Sequence, residues 1–529
     1  MANLEKKHQA DFTLSADALV FNRVFVLGDS LVDSGNALGL AEWYDSLPFT
    51  ALPEGAPTAE DGYFEGRFTN GYTYADLIAN RYVGSPTEAV FPFGYDDPWI
   101  GFPIAPFAGD PRGNSLNFAY GGAQIIRGDE FVSGLDEQTD ALRDAVDGRL
   151  YSSDLVIITM GGNDIRSLAP AGENPATRYH ANIAIQAAAD ELLKELAQLV
   201  SRGLGHILIT GIPDVGLIPA YDVDGDGVLD GSPGEGGGWK GYYEEYHQSL
   251  RASEYSAQLD ALIRDEVIPQ LEAMGATVHY TSLADVTGSD GSLAFEGALD
   301  AVLPSIAALN GITLEQMQAD WLDYAGLVFF DSVHPTAQVH ALVGAYIHAQ
   351  MEGTEWIELM PLDESALLRS FSGMIDFAGE TDSFGIRLRK GEAYTIEVLG
   401  MSTLAADGSL ADPWLQLADK AGNVITEGFT LTSGNDSGLG FDASFTFTAS
   451  ASGRYTITVG AEGTLTGSYV VQVGTAQMSA SLFAQAAPEP SLDLAGAFEP
   501  GGASAPELAF APLAAKAWDM IDPVDIHML

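Results

Sequence analysis

Short apolar runs that end in glycine recur through the first two thirds of the chain and alternate with stretches of helical period. Val24-Phe-Val-Leu-Gly28 delivers Asp29 and Ser30 at its turn, Ser115-Leu-Asn-Phe-Ala-Tyr120 runs into Gly121-Gly122, and Asp154-Leu-Val-Ile-Ile-Thr159 runs into Gly161-Gly-Asn-Asp164. Further strands are expected at His206-Ile-Leu-Ile-Thr210 and Thr277-Val-His-Tyr280. Between them, apolar spacing near 3.6 predicts helices over 72–81, 135–146, 183–200 and 242–274, the last bent at Pro269. Strands too apolar to show one wet face, alternating with helices, predict a parallel, doubly wound α/β sheet with helices on both faces.

Residues 296–325 form an amphipathic insertion that either walls an acyl pocket or packs as a plain helix pair. Gly326-Leu-Val-Phe-Phe330 is expected to be the final strand, followed by Asp331-Ser-Val-His334, Pro335 and an apolar helix to Met351. Residues 41–113, rich in Pro, Gly and aromatics such as Phe64, Tyr72, Phe91 and Trp99, form either an aromatic rim over a site or anchored surface loops.

Past Leu362 the period changes to two. Runs at 383–388, 394–399, 414–417, 444–448, 454–459 and 468–473 are separated by Gly, Asn and Asp turns, as in a β-sandwich. The expected organisation is therefore an N-terminal arm (1–20), an α/β domain (21–360), a sandwich (370–474) and an acidic Ala/Pro-rich tail (475–529).

Charge narrows the functions. Lys and Arg total 23 against 74 Asp and Glu, a formal net charge of −51, which repels phosphate backbones and excludes nucleic acid as a partner. Anionic membrane surfaces are disfavoured by the same field. Cysteine is absent, so thiol nucleophiles, thiolate metal sites and disulfides are excluded. No segment reads as transmembrane, and the first 21 residues lack the apolar core of a signal peptide.

Each candidate polar group lies just past a predicted strand end, and the carboxyl ends of parallel strands line one crevice. A serine hydroxyl needs a base to take its proton, which suits His334, and Asp331 can accept the other imidazole N–H and fix the tautomer. An oxyanion needs converging N–H donors: the Ser30 and Gly122 backbones and the Asn163 amide. Taken singly, these residues also fit helix caps, a glycine turn and an Asx turn. Their joint order points to nucleophilic catalysis.

Four ordered blocks, Gly28-Asp-Ser-Leu31, Asn117-Phe-Ala-Tyr-Gly-Gly122, Gly161-Gly-Asn-Asp164 and Asp331-Ser-Val-His334, resemble those of the GDSL, or SGNH, serine hydrolases. Asp33-Ser-Gly-Asn36 and Gly66-Arg-Phe-Thr-Asn-Gly71 sharpen the likeness toward the phospholipase, lecithinase and hemolysin-like lipase/esterase branch. The resemblance implies a flavodoxin-like three-layer α/β/α domain, Ser30 as nucleophile, Asp331 and His334 as its triad partners, and Ser30, Gly122 and Asn163 as the oxyanion hole. No cofactor is expected for catalysis. A G-x-S-x-G elbow is absent, which disfavours the α/β-hydrolase fold. Residues 370–474 resemble the pre-peptidase C-terminal-like sandwich of secreted bacterial enzymes, which implies polymer or surface binding or a part in secretion.

Asp222, Asp224, Asp226 and Asp230, with the Val228 carbonyl, have the spacing of an EF-hand-like loop, so a structural Ca²⁺ is expected there; Pro233 stands where the closing acid would be. Together with the tail, these features resemble proteins exported by type I secretion, so an extracellular location is expected, with a cytoplasmic one left open. The expected function is a secreted serine esterase or lipase acting on lipid or small acyl esters, phospholipid included. The alternatives are a polysaccharide O-deacetylase and a calcium-dependent surface-binding protein on a vestigial hydrolase scaffold.

Overall fold

The computed structural model describes residues 19–48, 50–53, 55–90, 113–126, 132–171, 174–221, 238–283, 297–319, 321, 323–354, 367–406, 408–425 and 440–475. The calcium-type loop at 222–230, the aromatics of 91–107 and the tail beyond Thr475 lie outside them.

The apolar runs become β1 (Arg23–Gly28), β2 (Glu88–Ala89), β3 (Ser115–Asn117), β4 (Asp154–Thr159), β5 (His206–Thr210) and β6 (Thr277–Thr281). Among the described residues they form one parallel sheet in the order β2-β3-β1-β4-β5-β6. The chain goes to one side of β1 first and then to the other, so the switch point, where an open α/β sheet gathers ligands, lies at the end of β1. Period-two alternation decides which layer each side chain enters. Phe25, Leu27, Val156 and Ile158 fill the core on one face, whereas Val24, Val26, Leu155 and Ile157 fill the core on the other.

Twelve helices are described: α1 (Asn36–Asp45), α2 (Tyr74–Val83), α3 (Leu135–Ala145), α4 (Gly162–Leu168), α5 (Pro175–Ser201), α6 (Gly238–Leu262), α7 (Ile268–Ala273), α8 (Ala298–Leu309), α9 (Leu314–Ala319), α10 (Ala325–Val328), α11 (Ala337–Glu352) and α12 (Met401–Leu404). Helices α3, α5 and α6 cover the first face of the sheet, and α2, α8 and α11 the second. Local chemistry starts them. Thr73 and Asp76 form a reciprocal capping box on α2, Asn174 caps α5 ahead of Pro175, and Thr336 caps α11.

Two expectations are corrected. Gly326–Phe330 is not a strand. Its first residues belong to the single turn α10, and the Phe330 N–H returns to the His334 carbonyl at 2.7 Å, so the segment closes a tight bend that presents Asp331 and His334. A five-residue apolar run carries no period that separates strand from helix. The long helix of 242–274 breaks not at Pro269 alone but through a π-helical turn, Ile263–Val267, just before it; the wider turn accommodates a residue with no N–H to give.

The described residues between 367 and 475 form two antiparallel sheets. These are β10-β12-β8 (Pro413–Ala418, Gly453–Ala461, Thr381–Leu388) and β11-β9-β13-β7 (Ala443–Thr448, Ala393–Leu399, Gly467–Thr475, Leu367–Ile375). All six predicted runs are strands. The seventh, β7, was missed because its mostly exposed side chains break the apolar alternation. Inward residues such as Ile396, Phe445, Ile457 and Val471 make a single sandwich core.

Candidate active site

Strand β1 ends where its backbone meets that of β4: a Cβ on Gly28 would lie 2.5 Å from the Thr159 carbonyl oxygen, so only glycine fits. Both backbone groups of Gly28 are also held by one side chain, Gln138 of α3, which accepts the N–H at 2.8 Å and donates to the carbonyl at 2.9 Å. Ser30 follows on a turn so anchored, 8% exposed. The bend after α10 brings His334 to it from 304 residues away, Nε2 lying 2.7 Å from Ser30 Oγ. Nδ1 of the same ring lies 2.7 Å from Asp331 Oδ2. The remaining oxygen of Asp331, Oδ1, accepts the N–H groups of Val333 and His334, each at 2.7 Å, and the Tyr63 hydroxyl donates to Oδ2 at 2.9 Å.

Burial alone would raise the Asp331 carboxyl, but the His334 charge, its hydrogen bond and the two backbone donors outweigh it and hold the group at about 2. Asp331 is therefore ionised wherever the imidazole can act. Burial and the Asp331 charge raise Tyr63, which stays a neutral donor. Phe68 packs on the imidazole, ring centroids 5.0 Å apart, and limits its rotation.

The turn after β3 is fastened from both sides. Asp33 spends Oδ1 on the N–H groups of Gly35 and Asn36 and Oδ2 on those of Ala37 and Gly121. Asp164, at the start of α4, accepts the Ile125 and Ile126 N–H groups. With Gly121 engaged, Gly122 is the next donor in line, held at φ +81 where glycine is favoured. Asn163 Nδ2 donates one hydrogen to the Ala123 carbonyl at 3.0 Å, which orients the amide and leaves its second hydrogen for another acceptor. Burial raises Asp29 to about 7, and Asp33 and Asp164 to about 6, against their backbone donors.

Ser30, Asn163 and His334 line a cleft, partly open to solvent, with a cavity volume of about 100 Å³. It crosses the carboxyl ends of β1, β4, β5 and β6, and its walls are mostly apolar: Leu31, Val215, Leu217, Leu299, Trp321, Val339 and Val343. Leu299 and Trp321 belong to the insertion that was expected either to wall a pocket or to pack plainly; these two side chains do line the cleft. Phe64 and Tyr72, in contrast, pack toward the sandwich core and form no rim.

The structure thus brings Ser30, Asp331 and His334 together, with Asn163 on the same cleft and Gly122 on the turn beside it. The calcium ligands fall outside the described residues, and among the described ones no group of three or more metal-ligating side chains occurs. No helix among the described residues is long and apolar enough to cross a membrane. Sequence reasoning missed Tyr63, Phe68 and Gln138 as supports. Phe68 stood within the motif at 66–71, but Tyr63 and Gln138 carry no local signal.

The match to a GDSL esterase/lipase of Arabidopsis thaliana is 31% identical over 231 residues, 40% of this chain and 59% of that relative's own length. A phosphatidylcholine-sterol acyltransferase of Aeromonas hydrophila is 24% identical over 365 residues, 63% of this chain and 92% of that one. The secreted effector protein SseJ of Salmonella typhimurium is 26% identical over 197 residues, 37% of this chain and 36% of that one. The model of the GDSL-like lipase/acylhydrolase family matches residues 24–347, which take in all of the parallel sheet but its first residue, Arg23, and every residue of the Ser30 site, and the chain belongs to that family.

Proposed function

We propose that the protein is a serine esterase or lipase that hydrolyses carboxylic esters through an acyl-enzyme on Ser30. The observation that carries this reading is the unbroken relay from Ser30 Oγ through His334 to Asp331 at the mouth of an apolar cleft. In the first step the Ser30 oxygen adds to the ester carbonyl while its proton passes to His334 Nε2, and Asp331 stabilises the imidazolium. Negative charge on the carbonyl oxygen is met by the Ser30 and Gly122 N–H groups and the Asn163 amide. Collapse breaks the bond to the alcohol oxygen, which leaves with the His334 proton. A water then repeats the cycle on the acyl-serine, His334 taking its proton and returning it to Ser30 as the carboxylic acid departs.

The apolar walls favour an acyl chain over a lone acetyl group, and the net charge of −51 favours neutral or zwitterionic esters, phosphatidylcholine included. Likeness to a phosphatidylcholine-sterol acyltransferase over nearly all of that relative's length supports a second outcome, transfer of the acyl group to an alcohol, which differs only in the second nucleophile. An extracellular location and a structural Ca²⁺ at Asp222, Asp224, Asp226, Val228 and Asp230 complete the reading. The ion is tested by melting with and without calcium.

The test of the whole is a p-nitrophenyl ester series from acetate to palmitate with wild type and Ser30→Ala, with and without an added alcohol. Activity that rises with chain length and disappears in the variant supports the reading. A folded wild type inert toward every ester, and unlabelled by a fluorophosphonate, sinks it in favour of a binding protein.

A further inference from the structure

Helix α11 is covered on two sides. Val339, Leu342, Val343 and Ile347 enter the core under the parallel sheet, whereas Ala337, Ala341 and Ala345, spaced by four, enter the sandwich core with Met401, Leu410 and Phe441. The approach is close and specific. A Cβ on Gly344 would lie 3.1 Å from the Phe441 ring, the Gln338 amide donates to the Ser402 carbonyl at 3.1 Å, and Arg81 of α2 faces Asp412 at 3.8 Å.

The contact reaches to within three residues of His334. A Cβ on Gly71 would lie 2.7 Å from Ala337 Cβ and 2.8 Å from Met401 Cε, so Met401 is wedged against both the 68–71 turn and the start of α11. That turn holds the base segment at three points: Thr69 Oγ1 donates to the Pro335 carbonyl at 2.8 Å, Asn70 Oδ1 accepts the Ala337 N–H at 2.8 Å, and Phe68 packs on the imidazole. Met401 itself is 4% exposed, so the wedge is filled.

From this contact we propose that the sandwich is a positioning element for the base. Met401 presses on Gly71 and Ala337 and so keeps His334 Nε2 within hydrogen-bond reach of Ser30. The inference rests on reading Ser30 and His334 as nucleophile and base. A displacement of about 1 Å at a catalytic group lowers turnover about a hundredfold, so a wedge this near the base has leverage on kcat. It also means that this face of the sandwich is occupied by its own chain, leaving only the remaining surface for any polymer.

The test uses the full chain with Met401→Asp, Met401→Leu and, as a remote control on β7, the exposed Met374→Ser. Measured are kcat and KM on p-nitrophenyl butyrate, the rate of fluorophosphonate labelling at Ser30, and calorimetric melting. The expected result for Met401→Asp is a kcat lower by about tenfold or more at a KM within about twofold, slowed labelling, and a wild-type single melting transition split in two. Met401→Leu and Met374→Ser should follow wild type. If Met401→Asp fails to fold, Met401→Ala, which only opens a cavity, carries the same comparison. A split or unchanged melt with kcat within about twofold of wild type overturns the proposal, as does a loss that Met401→Leu does not rescue. Wild type that neither hydrolyses nor labels overturns instead the reading of the site on which it rests.

Discussion

Asp33 Oδ2 accepts the Gly121 N–H at 2.9 Å while Oδ1 accepts those of Gly35 and Asn36, so one carboxylate ties the turn that follows Ser30 to the turn that carries Gly122. Asp33→Asn exchanges one acceptor for a donor and turns it against an N–H. The expected result is a kcat lower by about 10–10² with KM little changed, the loss being smaller than deletion of an oxyanion donor. Steady-state kinetics on one soluble ester decide it. An equal rise in KM would mean that Asp33 shapes the binding cleft instead.

Gly121 also lies against Phe68. A Cβ there would come within 2.4 Å of the ring, and that ring packs on His334. Gly121→Ala must therefore displace Phe68, and it is expected to lower kcat by about tenfold or more through the base and not through the turn. Fluorophosphonate labelling, which needs the Ser30–His334 pair, should slow in parallel; normal labelling with low turnover would refute this route.

Asp331→Asn keeps the shape but presents an amide to Nδ1, so His334 is held in the wrong tautomer. Turnover should fall by about 10⁴. The pH dependence has a definite sign. The folded carboxyl is held at about 2, below its ordinary 3.8, so its stabilisation is present above pH 4 and is lost as pH falls toward 2. Melting of wild type and Asp331→Asn should differ most above pH 4 and converge below it.

Arg67 and Asp76 form a buried two-pronged pair, Nε to Oδ2 at 2.7 Å and a terminal guanidinium nitrogen to Oδ1 at 3.1 Å. Arg67→Met strands a buried carboxylate and is expected to cost about 3–5 kcal/mol in urea unfolding. Arg67→Met combined with Asp76→Leu should recover part of it. A single variant as stable as wild type would show that the Thr73 and Thr87 donors to Asp76 suffice alone.

His348 on α11 is partly buried beside the Tyr82 ring, and its desolvation, aided by the Arg81 charge, pushes it from 6.5 down to about 3. A group depressed in the fold and ordinary when unfolded favours the unfolded chain progressively as pH drops from 6.5 toward 3. His348→Phe should flatten the fall of Tm across pH 6.5 to 4. An unchanged slope would assign the acid lability elsewhere, for example to His279, which burial and His206 push to about 4.

The residues that the structure brings together were legible in the sequence because the signal lay in residue type and local order: Ser30 after a buried strand, Asn163 after another, and Asp331 and His334 three apart, each at an element end. The near-continuous apolar runs within 24–28 and 154–159 likewise determined a sheet buried on both faces, since an unbroken apolar run is a local property. Tertiary structure alone decided the rest. Tyr63 reaches Asp331 across 268 residues and Gln138 reaches Gly28 across 110, and neither partner leaves a mark near its own position. The run 326–330 became a bend because its surroundings, and not its five residues, favoured one. The stripe Ala337, Ala341 and Ala345 reads as an ordinary helix face until the sandwich is seen against it. Hydrophobic burial is nondirectional, so a sequence can state that a face will be covered while only the folded chain selects what covers it.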